Sequence, residues 1–403
     1  MPASDAEPSE PAPLRLYIHW PYCQRICPYC DFNVYKARPV AVEAWENALT
    51  AALGAHARRW PDLRLASIFF GGGTPSLMPP DLVRRVIETA RSLWSEADEP
   101  PEITLEANPT SGEQERFDGL RRAGVTRLSL GIQAFDDAAL AFLGRDHSAA
   151  EAKGALDRAL ALFPQVGLDL IYARPDQSPD AWHAELEAAL ATGVGHLSAY
   201  QLTVEPGTAL AKAVARGSVT PCDDDLAATL YDITQAVAAA AGLPAYEVSN
   251  HARPGAESRH NVGIWAGDWY AGIGPGAHGR LPPRDDPGHE AAAALATVAA
   301  MKPGDWLAKA AAPGTGLADL SALTARERVE ELVMMGLRRT QGLAIATVER
   351  RTGTALDRVV PEERLREALQ AGWLVRHQGR LMVPGPYRAL TEGIALTLLA
   401  GDM

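Results

Sequence analysis

The chain has 403 residues, 47% hydrophobic and 22% charged, and its 38 basic and 50 acidic side chains give a formal net charge of −12. That length suits one large domain plus a smaller one in an ordinary globular protein, and the acidic balance argues against nucleic acid or an anionic membrane surface as partner. No apolar run reaches eighteen residues, so no integral membrane segment is expected.

In chain order, the opening "MPASDAEPSEPAP" is acidic and proline-rich and reads as a disordered tail over residues 1–13. It lacks a basic-then-apolar leader pattern, which points to a cytoplasmic protein. Four cysteines in so long a chain fit a reducing compartment, where clustered thiols are more often metal ligands or catalysts than disulfides. A first strand is predicted over Leu14 to Trp20, and the loop after it carries Cys23, Cys27 and Cys30 as C-x3-C-x2-C. Paired zinc knuckles start C-x2-C and bring a second pair, whereas the remaining thiol here is the isolated Cys222. An iron–sulfur cube held by three thiolates instead leaves one iron open to a further ligand.

Further β-rich apolar runs follow as LASIFFGG, EITLEA, RLSLGI, VGLDLIYA and HLSAYQL, separated by amphipathic, Ala- and Leu-rich stretches. This alternation predicts βαβ crossovers and a parallel sheet of six strands, with ligands at the C-terminal strand ends. Several chemically suited residues fall there. Gly71, Gly72, Gly73 and Thr74 follow the second run, where backbone without side chains lets a ligand approach. Glu106 ends the third, able to accept from two hydroxyls. Gln133 ends the fourth, Arg145 follows twelve residues later, and Asp169 lies inside the otherwise apolar fifth, where an acid needs a partner.

These motifs together resemble the radical S-adenosylmethionine (SAM) proteins. The stretches "SLGIQAFDDAALAFLGRDHS", "YEVSNHARPGAESRHN" and "YAGIGPGAHG" look like the HemW haem-chaperone family within them. The resemblance implies an α/β fold, a partial (β/α)6 barrel over residues 14–290, and a small C-terminal helical, winged-helix-like domain over 300–403. It implies a [4Fe–4S] cluster on Cys23, Cys27 and Cys30, with the SAM amino and carboxylate groups on the fourth iron. SAM contacts carried over are Tyr17, Tyr29, Gly72, Gly73, Thr74, Glu106, Gln133, Arg145, Asp169 and Ile273. The cofactor supplies the hard chemistry, by electron transfer that cleaves the sulfonium, and the protein supplies placement.

The same resemblance implies haem as cargo, haem-accepting respiratory proteins and an electron donor as partners, and a homodimer. Haem would be bound by an H-N-x-x-Y-W motif, met here as His260, Asn261 and Trp265, with Ile264 where the family has tyrosine. A neutral imidazole suits iron, the amide would orient it, and the indole would stack on a macrocycle. His251 lies nearby as a substitute. The second reading is an oxygen-independent coproporphyrinogen III dehydrogenase. That branch carries a further cysteine where this chain has Phe32, and a longer N-terminal arm than the 22 residues before Cys23.

The segment Gly272 to Arg280, "GIGPGAHGR", has dinucleotide-loop glycines but no apolar-periodic helix after it, and reads as a strand and turn. Composition shifts after residue 280, with a boundary near 300. "TARERVEELVMMGLRRTQGL" has helical spacing with a stop at Gly342, and "GWLVRHQGRLMVPGPY" reads as a hairpin turning at Gln378 and Gly379. Met334 and Met335 at helical spacing read as core.

Overall fold

A computed structural model describes residues 12–284, 291–311 and 314–400. The expected tail lies outside these except for Ala12 and Pro13, and Pro13 already opens the first strand.

The six apolar runs form six strands: β1 Pro13–Trp20, β2 Arg64–Gly72, β3 Glu102–Ala107, β4 Arg127–Gln133, β5 Gln165–Tyr172 and β6 His196–Gln201. They pair in sequence order, all parallel. Parallel strands are covered on both faces, which is why they read as continuous apolar runs. The covering helices are amphipathic: Pro80–Leu93 turns Leu82, Val83, Val86, Ile87 and Ala90 inward, at helical spacing. Ser148 and Glu151 form a capping box that starts Ala149–Leu162.

The sheet continues beyond six strands on both sides. A short β7, Asn250–Ala252, pairs antiparallel with β6. On the other side β8, Trp269–Ile273, joins β1 in parallel, so GIGPGAHGR does supply the end of one strand and the turn into β9, His278–Leu281. Antiparallel β10, Ala294–Ala299, and β11, Leu317–Leu323, complete an eleven-stranded sheet. The sheet therefore runs past residue 300, and its core reaches Ala310.

A second core spans Val329 to Leu398, with Met334 packed against it. Thr324 and Glu327 form the capping box of helix Ala325–Arg338. The strands Val375–His377 and Arg380–Met382 make the hairpin, turning through Gln378 and Gly379 at positive φ.

Candidate functional site

The loop bearing the three cysteines is sewn to its surroundings by backbone. Tyr22–Cys23 pairs in parallel with Tyr35–Lys36, and the amides of Tyr35 and Ala37 donate to Pro21 O and Cys23 O, each at 2.7 Å. The glycine loop after β2 is stitched to the same strand, Gly73 N to Trp20 O at 2.7 Å and Thr74 N to Tyr22 O at 2.9 Å. A side chain at Gly73 would collide with Tyr22 O at 2.7 Å, so this approach requires glycine.

At the C-terminal strand ends lies a cleft of about 350 Å³. It brings together Cys23, Cys27, Cys30 and Tyr29 from the loop, Gly72, Gly73 and Thr74 after β2, Glu106 on β3, Gln133 on β4, Arg145, and Asp169 on β5. Eleven residues singled out from sequence thus share one wall, although they span almost 150 positions.

The charges are arranged around burial. Glu106 accepts from Gly72 N at 3.2 Å, and burial, then the neighbouring Asp169, push its carboxyl from 4.5 up to about 8. Asp169 accepts from Ser129 Oγ at 3.2 Å and rises to about 6, chiefly through burial, with Ser198 and Ser129 opposing. Burial also raises the Cys23 thiol to about 11, so Cys23 by itself is not a reactive thiolate near neutral pH. Arg145 donates to Cys27 Sγ at 3.5 Å and to Gly131 O at 2.9 Å, and its guanidinium also meets the Asn108 carbonyl. Asn108 in turn donates to Thr74 Oγ1 at 3.1 Å, linking Arg145 to the glycine loop.

The donor set fits a cluster with an added ligand. Three thiols stand in one cleft, yet among the described residues no three His, Cys, Asp or Glu side chains are placed to hold a single ion. The buried Gln133 Oε1 and Arg145 Nε have no partner within the protein, which leaves an acceptor and a donor for a bound molecule.

Other expected contacts lie elsewhere. Tyr17 does not line the cleft: its hydroxyl bonds His19 Nδ1 at 3.0 Å, and His19 Nε2 bonds Asn33 O at 3.0 Å, so it props the far end of the cysteine loop. Ile273 is buried at the end of β8 and does not line the cleft either.

The haem stretch sits at the opposite end of the barrel. Helix Arg259–Trp265 packs on β1 and β2. His260 is 3% exposed, its Nδ1 lies 2.8 Å from Ser67 Oγ near the start of β2, and its amide donates to Glu102, the first residue of β3. Burial, then Arg15, lower its imidazole to about 3. The ring is therefore neutral, as expected, but enclosed rather than presented to a ligand. Asn261 is half-buried, and Trp265 is half-buried between Tyr246 and Arg338. His251 is fully buried in β7 with neither ring nitrogen bonded, so it offers no open substitute.

Residues that the sequence reading passed over are Asn108, Ser129 and Tyr200. Asn108 stands two places after Glu106 in "EANP", and Ser129 is a polar break in an apolar strand, so each left a faint signal.

Comparison with known proteins places the chain. The radical SAM superfamily profile matches residues 17–189 and the HemN C-terminal domain matches residues 323–385. The haem chaperone HemW of Mycobacterium tuberculosis is 38% identical, covering 96% of this chain and 95% of that protein. The chain belongs to the HemW family of radical SAM proteins. The mitochondrial radical S-adenosyl methionine domain-containing protein 1 of Mus musculus is 43% identical over 81% of this chain and 74% of its own length. In fold, the chain matches the radical SAM coproporphyrinogen III oxidase HemN of Escherichia coli with a TM-score of 0.78 at 20% identity, covering 97% of this chain and 91% of that one. A radical SAM domain implies a [4Fe–4S] cluster and SAM as cofactors. Among the described residues no helix is long and apolar enough to cross a membrane.

Proposed function

We propose that this protein is a haem chaperone that holds a [4Fe–4S] cluster and SAM in the cleft at the C-terminal strand ends. Cys23, Cys27 and Cys30 hold the cluster. Gly72, Gly73 and Thr74 offer backbone to the SAM amino and carboxylate groups, Glu106 takes the ribose hydroxyls, Tyr29 lies by the adenine, and Gln133, Arg145 and Asp169 complete the wall. Bound together, the two cofactors supply one-electron reductive chemistry, for which an electron donor is required. Haem is the cargo, passed to haem-dependent respiratory proteins. The convergence of three thiols, a glycine loop and two half-buried carboxylates in one cleft carries this reading.

Tyr17 and Ile273 act in this reading through the loops they support. His260 is not kept as the haem ligand, because its ring is enclosed; Asn261 and Trp265 are the members of the stretch within reach of a macrocycle. We place the division between barrel and C-terminal unit at Thr324, between the last sheet strand and the second core.

The coproporphyrinogen reading is disfavoured by Phe32, which stands 63% exposed at the cleft mouth where the dehydrogenase branch has a further cysteine. The test is anaerobic reconstitution with iron and sulfide. The protein is expected to gain thiolate-to-iron absorbance, bind haem in an absorbance titration, and make no protoporphyrinogen from coproporphyrinogen III, SAM and reductant. Cys27→Ala should lose the iron bands. Full iron content in that variant refutes the ligand assignment, and product from coproporphyrinogen refutes the chaperone reading.

A further inference from the structure

A second groove, of about 580 Å³, opens at the other end of the barrel, between the starts of β1 and β2, the loop before β3, helix Arg259–Trp265 and the segment Arg339–Gln341. Its chemistry is set by an imbalance of charge. Arg15 holds Asp268 Oδ2 through Nη2 at 2.9 Å and Nε at 3.1 Å, and Arg351 approaches Asp268 Oδ1 at 3.6 Å. Arg328, 1% exposed, and Arg280 share Glu331 at 2.9 and 2.7 Å. Arg328 and Arg351 both lie over the Trp269 ring, 5.3 and 5.0 Å from its centre. These four guanidiniums therefore divide two carboxylates in a largely enclosed junction beside the groove, and of the four Arg15 lines the groove itself.

Arg339 adds a fifth. It is half-buried, its side chain bonds Gln341 Oε1 at 3.0 Å, and among the described residues it pairs with no carboxylate. Burial, then Arg380, hold its guanidinium below the ordinary value, with Asp268 opposing. On a chain of net charge −12 this is a local excess of positive charge where screening by water is poor. Two of the groove's three acids do not offset it, being paired with other arginines. Glu99 is taken by Arg259 and Asp98 by Arg64 at 3.3 Å, while Glu257 accepts from the Gly255 amide at 2.8 Å and keeps its negative charge.

We propose that the inner end of this groove binds a small organic or inorganic anion, carboxylate or phosphate, between Arg15 and Arg339. Arg339, engaged among the described residues through Nη2, offers a guanidinium that matches either group, while Arg15, its Nε and Nη2 held by Asp268, adds positive charge beside it. The adjoining wall, Val262, Ala66 and the Tyr246 ring, accepts an apolar body carrying that group. The site lies at the opposite end of the strands from the cluster cleft and stands independently of the chaperone reading.

The test uses the full-length protein with inorganic phosphate and with citrate as probes, by titration calorimetry and thermal shift, against sodium chloride at matched ionic strength. At least one probe is expected to bind and to raise the melting temperature beyond the chloride control, and which one does so tells phosphate from carboxylate. Arg339→Gln, which breaks no ion pair, should weaken binding about tenfold, and Arg339→Lys, keeping the charge, should weaken it less. Neither probe acting beyond chloride, or Arg339→Gln binding as tightly as the wild type, overturns the proposal.

Discussion

Glu106 is the residue whose perturbation tests the physics of the cleft most directly. Its folded-state pKa is raised from 4.5 to about 8, so between those values the folded protein holds a proton that the unfolded chain has released. Stability then falls as pH rises through this window, and the full cost is reached above pH 8. The shift of about 3.5 units, at about 1.4 kcal/mol each, sets a ceiling of roughly 5 kcal/mol. The cleft is open and Glu106 is half-buried by area, so water screens part of this, and we expect roughly 2–5 kcal/mol. Glu106→Gln keeps the shape, keeps an oxygen for the Gly72 amide and cannot ionise. Urea unfolding of cofactor-free protein at pH 5, 7 and 9 should therefore show the variant within about 1 kcal/mol of wild type at pH 5 and more stable by roughly 2–5 kcal/mol at pH 9. Groups remote from the cleft cancel in the difference, and only the coupled neighbours of Glu106, Asp169 first, do not; a gap that is constant across the three pH values, or a Gln variant less stable at pH 9, refutes the assignment of a proton to this carboxyl.

Gly72→Ala places a Cβ 2.5 Å from the His19 ring at φ +106°, so it should cost about 2–4 kcal/mol in urea unfolding. Wild-type stability would show that the loop yields easily. Arg145→Met removes the donor to Cys27 Sγ, and because a hydrogen bond and a positive charge at a cluster sulfur favour the reduced state, the reconstituted cluster should titrate at a more negative potential by electron paramagnetic resonance. An unchanged potential would mean that the guanidinium leaves Cys27 when the cluster is loaded. His260→Ala empties an enclosed site and strips Ser67 of its partner, so it should destabilise by about 2–4 kcal/mol while the haem titration midpoint stays in place. A weaker midpoint with unchanged stability would restore His260 as the ligand.

Much of the cleft was legible because its parts lie in short range of local signals. C-x3-C-x2-C is a spacing, the glycines are a run, and Glu106, Gln133 and Asp169 sit on strands whose two covered faces make them readable as apolar runs. What was not legible depends on contacts between distant segments. Tyr17 reads as a cofactor contact by position, but whether its hydroxyl meets a ligand or His19 is decided by side-chain direction across the sheet. The "AALATVAA" stretch reads as an Ala-rich tract, and alanine favours helix over strand. It nonetheless holds β10, because β9 and β11 on either side supply the pairing that propensity does not.

His260 is the instructive case, since the same six residues that suggest a haem ligand also satisfy the needs of a barrel end. Among the polar groups there, Ser67 and Glu102, 193 and 158 positions away, take the ring and the amide of His260. A buried imidazole that bonds a hydroxyl is stable as a neutral group, and removing it to ligate iron would leave Ser67 unpaired and lift the helix from β2. The cluster cleft differs in what faces it: two half-buried carboxylates that repel one another, with the unpaired Gln133 Oε1 and Arg145 Nε on residues of the same wall. Enclosure rather than satisfaction separates the two ends: buried His251 and Arg127 also leave polar atoms unpaired at the end that holds His260, but neither lines the groove there, whereas Gln133 and Arg145 line the cleft that holds the three thiols.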